Sequence, residues 1–299
     1  TNDTLEFVVL RGKMYMVQVP DGAGSWAFPW TVTVPRDQKV VRFERDLWSV
    51  ESFASGGDPT ATVSEWFVQA AEDPGVVFPE MALMGRDADG VRPCIVEAWR
   101  RSVIHDGLRK DHLQRVVRTE DRVAPYTVKA VGDRPRAGWP LVIAMHGGGG
   151  VPKEVNDQQW QHMQVYYKDH PEAGGYLYVA LRAPNDNWDG FYDDGISPLV
   201  SRLITQLHLT EGVDTDRVHI TGVSHGGYGA FVIGPKIPWR FASVHASAAA
   251  PTPGRTEAVN LRNTPFSLMV GVNDTAYGRH DLCVKFEARM KELAAAEPG

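Results

Sequence analysis

A serine stands at the centre of TGVSHGGYGA, residues 221–230, where Gly222, Ser224 and Gly226 spell G-x-S-x-G. A strand-like segment, DRVHITGV (216–223), precedes it and small residues follow. A serine on such a strand-to-helix turn exposes its hydroxyl. Its backbone is strained and its neighbours must be small, because strand and helix run close together. The chemistry this arrangement serves is nucleophilic attack on a carbonyl carbon. Taken alone, the pattern also fits a glycine-rich turn carrying a spectator serine.

Two further groups answer to the same chemistry. HGGGG, His146 to Gly150, follows a buried strand-like run. Acyl transfer develops negative charge on a carbonyl oxygen, and backbone N–H groups aimed at that oxygen stabilise it. The expected donors are the amide of His225 and one from Gly148 or Gly149. The loop lacks the G-K-[ST] ending of a phosphate-binding loop. His146 reads as a residue that holds the loop. The third group is Asp274 in VGVNDTAYGRHD, past another apolar run and after the serine in sequence. Its role would be to orient a histidine and stabilise the imidazolium. A turn or N-cap role is the alternative for Asp274, and Asp281 is the second candidate for the acid.

The elements that must position these groups alternate. PLVIAMH (140–146), YLYVALR (176–182), DRVHITGV (216–223), FASVHAS (241–247) and FSLMVGV (266–272) read as strands. Residues 156–170, 197–209, 227–234 and 281–296 read as helices, with Ser197 as an N-cap. This alternation predicts an α/β fold, a mostly parallel sheet with helices on both faces and ligands at the carboxyl ends of the strands. Residues 1–120 read differently. KMYMVQVP, WTVTVP and KVVRFERDLW suggest short strands, and 92–117 a helix divided near Gly107. The expected organisation is a smaller mixed α+β accessory region over 1–120 and a catalytic domain over 121–299.

Strand–HGGG, strand–GxSxG–helix and strand–Asp, in this order, resemble the α/β-hydrolases. GWPLVIAMHGGGG, DTDRVHITGVSHGGYGAF and RFASVHASAAAP are similar to an esterase group that includes feruloyl esterases, polyhydroxybutyrate depolymerases and dienelactone-hydrolase-like proteins. The resemblance covers 121–299. It implies carboxylic ester hydrolysis through an acyl-enzyme on Ser224, without a cofactor. In that family the catalytic histidine sits on a loop after one further strand. Of ten histidines only His280 follows Asp274, and it lies close to it. The ring of His225 is expected to point away from the serine hydroxyl, and His245 is more distant. The chain begins TNDTLEF and stops at AAAEPG. The expectation is therefore a general base beyond Gly299, with His280 the candidate inside the chain.

APNDNWDGFYDDG (183–195) leaves the end of a strand, and Trp188, Phe191 and Tyr192, with Gln159 and Trp160, are candidate walls of a substrate pocket. The alternative is that these aromatics pack the loop onto the body. Its acids Asp186, Asp189, Asp193 and Asp194 do not follow EF-hand spacing, and no metal is expected. A net charge of −6 shows no basic excess for nucleic acid. No run of ~18 apolar residues is present to span a membrane. Two distant cysteines, Cys94 and Cys283, read as free thiols and favour a reducing, cytoplasmic setting. The partner expected is a small-molecule ester. The rival functions are a serine peptidase of prolyl-oligopeptidase type, whose N-terminal repeats are not seen in 1–120, and a non-catalytic α/β-hydrolase-like binding protein.

Overall fold

The computed structural model describes residues 14–20, 26–33, 59–73, 76 and 88–296. The chain divides into two compact units, 1–105 and 106–299. In the first, β1 (Met14–Pro20) pairs antiparallel with β2 (Trp26–Thr33), and α1 (Pro59–Glu72) and α2 (Ala88–Arg101) are helical. The strand expected from KVVRFERDLW lies outside the described residues.

The second unit starts ahead of residue 121. The segment expected as a helix divided near Gly107 over 92–117 ends α2 at Arg101, resumes as α3 (Asp106–Leu113), and then extends as β3 (Val116–Arg118). Val117 is thus a fully buried strand residue, and Gly107 lies inside α3 rather than at the break. Tertiary pairing decides this: β3 aligns antiparallel with β4 (Val123–Val131) as the edge of the sheet.

The sheet order is β3-β4-β6-β5-β7-β8-β9. It adds β5 (Trp139–Met145), β6 (Tyr176–Leu181), β7 (Val213–Val223), β8 (Ser243–Ser247) and β9 (Phe266–Met269). β4 is antiparallel to β6, and the five strands from β6 to β9 are parallel. Parallel strands need crossovers, and these are α4 (Lys153–Tyr166), α5 (Ile196–Glu211) and α6 (His225–Lys236), with α7 (Arg279–Ala296) after β9. Ser197 does not cap α5. Gly195 holds that position, and the Ser197 hydroxyl is buried without a partner.

The apolar runs read as strands because both faces of the sheet are covered. Leu141, Ile143 and Met145 of β5 face the core under α5, α6 and α7, while Ala144 faces Met163 of α4. Phe231, Phe266 and Phe286 meet with ring centroids 5.1–5.4 Å apart, which docks α7 onto β9. At the other edge the Tyr126 hydroxyl accepts from Gln206 Nε2 (2.7 Å) and meets His112 Nδ1 (2.8 Å). Gln206 also donates to the Val116 carbonyl (2.9 Å), so one buried polar cluster ties α3, β3, β4 and α5 together. Removing one partner leaves the others desolvated and unpaired. Tyr126→Phe is expected to cost about 1–3 kcal/mol, read from urea unfolding of the folded variant beside the parent.

Candidate active site

The sequence-predicted groups gather at the carboxyl end of the sheet. Ser224 follows β7 directly and holds φ 53°, ψ −113°, a conformation that few non-glycine residues tolerate. Its N–H donates to the Ser247 carbonyl (2.9 Å), and its own carbonyl receives the Tyr228 N–H (3.0 Å). The surrounding glycines are steric necessities. A Cβ at Gly222 would lie 2.0 Å from the Gly226 carbonyl oxygen. At Gly226 it would lie 2.3 Å from the Met145 oxygen, and at Gly227 2.5 Å from the Ser247 oxygen. The turn is pressed against the ends of β5 and β8.

The glycine loop lies beside it. A Cβ at Gly147 would stand 3.6 Å from Ser224 Cβ. His146 holds the loop, as the sequence suggests. Its Nδ1 donates to the Gly147 carbonyl (2.6 Å), its Nε2 accepts from the Ala183 N–H (3.1 Å), and its carbonyl receives the Gly226 N–H (2.9 Å). Those partners set one neutral tautomer, and burial pushes its pKa down to about 3. Gly149 is not available as a donor. Its N–H is spent on Asn156 Oδ1 (2.8 Å), and the Gly150 N–H on the Asp186 carbonyl (2.9 Å). The amides of Gly148 and His225 carry no hydrogen bond among the described residues.

The His225 ring turns away from the serine into an aromatic nest. His146, Phe191, Trp188 and Tyr192 surround it at 5.0–6.4 Å between centroids. It is 1% exposed, and neither ring nitrogen makes a well-formed hydrogen bond among the described residues. Burial lowers its pKa to about 4, opposed in part by the main chain at Trp188. A Cβ at Gly149 would strike this ring at 2.5 Å, so the ring supports the loop from beneath.

Next to the turn, Trp188, Tyr192, Tyr228, Tyr277, Pro251 and Leu282 line a cavity of about 190 Å³. Trp188 and Tyr192, two of the candidate pocket residues, are among those lining it. Trp160 is not: its indole donates to the Ala180 carbonyl (2.9 Å) and it packs against the sheet under α4. Phe191 is fully buried. Of the acids in that loop, Asp186, Asp193 and Asp194 pair with Arg182, Arg122 and Lys236.

Asp274 sits in the turn after β9 with its carboxylate against Arg279 Nη1 (3.3 Å). Arg279 in turn donates to the Tyr228 hydroxyl (3.1 Å) and lies over the Tyr228 and Tyr277 rings. His280 does not join Ser224 to this acid. Its ring Nδ1 meets Asp281 (3.3 Å), and only its main-chain N–H reaches the Asp274 carbonyl (3.2 Å). Chain geometry is the reason, since Asp274 and His280 flank a tight turn into α7. His245 is held by two serines, Ser247 and Ser267, both at 2.7 Å. Among the described residues no imidazole is hydrogen-bonded to the Ser224 hydroxyl. The residues that sequence reasoning missed are Asn156, Arg182 and Arg279. Nothing in their spacing marks them, and only the fold brings them to the loop and the acid.

Five parallel strands with an antiparallel second strand, a serine turn after the central strand and the acid after the last decide the architecture. This is the α/β-hydrolase fold. No family model matches the chain, and no curated protein matches it. Solved structures similar to it include a thermostable esterase (16% identity, TM-score 0.48, 60% of this chain and 50% of that one). Another is the enterobactin esterase FES from Shigella flexneri (15%, TM-score 0.43, 59% and 50%). A third is LpqC, a poly(3-hydroxybutyrate) depolymerase from Bordetella parapertussis (17%, TM-score 0.42, 60% and 75%). The chain spans about half the length of the first of these structures.

Two buried neutral histidines make the site acid-sensitive. Each has a folded pKa below its unfolded value near 6.5, so the unfolded chain binds more protons between about pH 6.5 and 4. Their contribution is whole above that range and falls as the pH drops through it. The thermal midpoint should decline from pH 6.5 to 4. His225→Phe, which keeps an aromatic disc without a titrating group, should flatten part of that decline. The share of His225 is at most roughly 3 kcal/mol. The measurement is a calorimetric pH series on both proteins.

Proposed function

We propose that the 106–299 unit is a serine hydrolase that cleaves small carboxylic esters through an acyl-enzyme on Ser224. One observation carries this: a strained serine turn packed against a glycine loop, with the amides of Gly148 and His225 left without internal partners. Unpaired N–H groups beside a nucleophile are what a developing oxyanion requires, and they need no reorganisation when charge forms.

In the proposed sequence, Ser224 Oγ attacks the carbonyl carbon and loses its proton to an imidazole. The oxyanion takes hydrogen bonds from Gly148 and His225. The tetrahedral intermediate expels the alcohol with the proton returned to it, and water then releases the acid by the same steps. Asp274 is the carboxylate assigned to orient that imidazole, and Arg279 holds it while linking it to α6 through Tyr228. The cavity bounded by Trp188, Tyr192 and Tyr228 takes the acyl group, and its volume suits a small or flat one. Among the described residues His280, His225 and His245 are each engaged elsewhere or turned away, so none of the three supplies that imidazole. That observation also favours the second reading, a binding protein on a hydrolase fold.

Imidazole in solution separates the two. With p-nitrophenyl acetate the chain should acylate slowly in a Ser224-dependent burst. Added imidazole should speed the Ser224-dependent part at least ~10-fold, by analogy with the value of a positioned base. Ser224→Ala should remove both. A folded sample showing no Ser224-dependent acylation with or without imidazole refutes the hydrolase and leaves the binding protein.

A further inference from the structure

Gly147 to Gly150 carry no side chains, and the His146 ring holds the loop only at the Gly147 carbonyl. Gly148, Gly149 and Gly150 all lie at positive φ (104°, 77° and 63°). Glycine populates many such conformations, and rotation of one peptide would turn the Gly149 N–H outward. Something outside the loop must select one arrangement.

A chain of polar side chains, buried at Arg182 and Asn156 and partly exposed at Asp186, leads to it. Arg182, 5% exposed just past β6, donates through Nη1 to the carbonyls of Ala183 (3.1 Å) and Asn185 (3.4 Å). Its Nε meets Asp157 (3.1 Å), and its Nη2 meets Asp186. The Asp186 carboxylate accepts from Asn156 Nδ2 (3.0 Å). Asn156 Nδ2 donates also to the Val151 carbonyl (3.1 Å), and Oδ1 accepts the Gly149 N–H (2.8 Å). Asn156 is 1% exposed. Its orientation follows from chemistry. Both partners of the NH₂ group are pure acceptors and the partner of the oxygen is a donor, so the amide has one satisfactory setting. Burial opposes ionisation of Asp186, but the charge and hydrogen bond of Arg182 and the amide of Asn156 prevail and hold its carboxyl below the usual range.

We infer that Arg182, Asp186 and Asn156 are positioning residues that lock the glycine loop, consuming the Gly149 N–H so that the Gly148 amide is the one presented to the oxyanion. The inference rests on the hydrolase reading for its catalytic consequence. The locking itself does not depend on that reading.

An exchange of side chains tests it. In Asn156→Asp the acceptor for Gly149 survives, but a buried carboxylate now faces the partly exposed Asp186 carboxylate. Like charges there favour binding of a shared proton. Ser224 acylation with imidazole present should fall about 10- to 100-fold at pH 8, the scale of a displaced catalytic group. The deficit should shrink toward pH 5. The double variant Asn156→Asp with Asp186→Asn removes the facing carboxylates, although the Val151 carbonyl and Arg182 each lose a partner, and should recover part of the rate. Hydrogen exchange at the ¹⁵N-labelled Gly149 amide supplies a second readout free of catalysis. It should be protected in the parent and the double variant and fast in the single variant at pH 8. A double variant no better than the single, or a Gly149 amide unprotected in the folded parent, overturns the lock. If the parent never acylates while the exchange pattern holds, the hydrolase reading fails and the lock stands.

Discussion

The contact on which the site depends is backbone against backbone. The serine turn rests on the end of β5, where the Gly226 N–H meets the His146 carbonyl at 2.9 Å and a Cβ at Gly226 would stand 2.3 Å from the Met145 oxygen. Two neighbouring positions are as tight, Gly227 against the Ser247 carbonyl of β8 and Gly222 against the Gly226 carbonyl. The contact at Gly226 joins the two halves of the site, since His146 opens the glycine loop. The strain at Ser224 persists because the neighbouring strands and α6 over-determine its place.

Around that contact the molecule solves a problem of polarity. Loops rich in glycine and histidine are poor core material, yet this region is buried. The histidines remain neutral and behave as aromatic discs. His146 has both nitrogens satisfied, and His225 fills a nest of Phe191, Trp188 and Tyr192. Charge is kept one layer out, where Arg182 and Arg279 each hold a carboxylate beside the loop and beside the acid turn. Between these ion pairs the amides of Gly148 and His225 have no hydrogen-bond partner among the described residues.

Much of this was legible in the chain. The five apolar runs at 140–146, 176–182, 216–223, 241–247 and 266–272 mark strands because strands buried on both faces have no polar side to show. The serine, the glycine loop and Asp274 were legible because each follows such a strand, and the fold collects strand ends. The short edge strand β3 was not legible, since three residues after a helix carry no periodicity and gain their form from pairing with β4. Nor was the place of Trp160, whose helix turns it to the sheet while Trp188, on a loop, faces the cavity.

What the sequence determined by itself is the architecture and the turn that carries Ser224, because both follow from local rules. Burial on two faces shapes the strands, and a small residue must sit wherever two backbones nearly touch. What only the tertiary structure decided is which groups are free to act. The Gly149 amide is spent on Asn156 and the His280 ring on Asp281, while Arg279 holds the Asp274 carboxylate in place. Gly149 and Asn156 lie on opposite sides of a loop and helix junction, and the Asp186 and Arg182 that complete their network come from another strand and loop. A hydrogen bond of this kind depends on positions in space to a fraction of an ångström, which residue type and spacing do not encode.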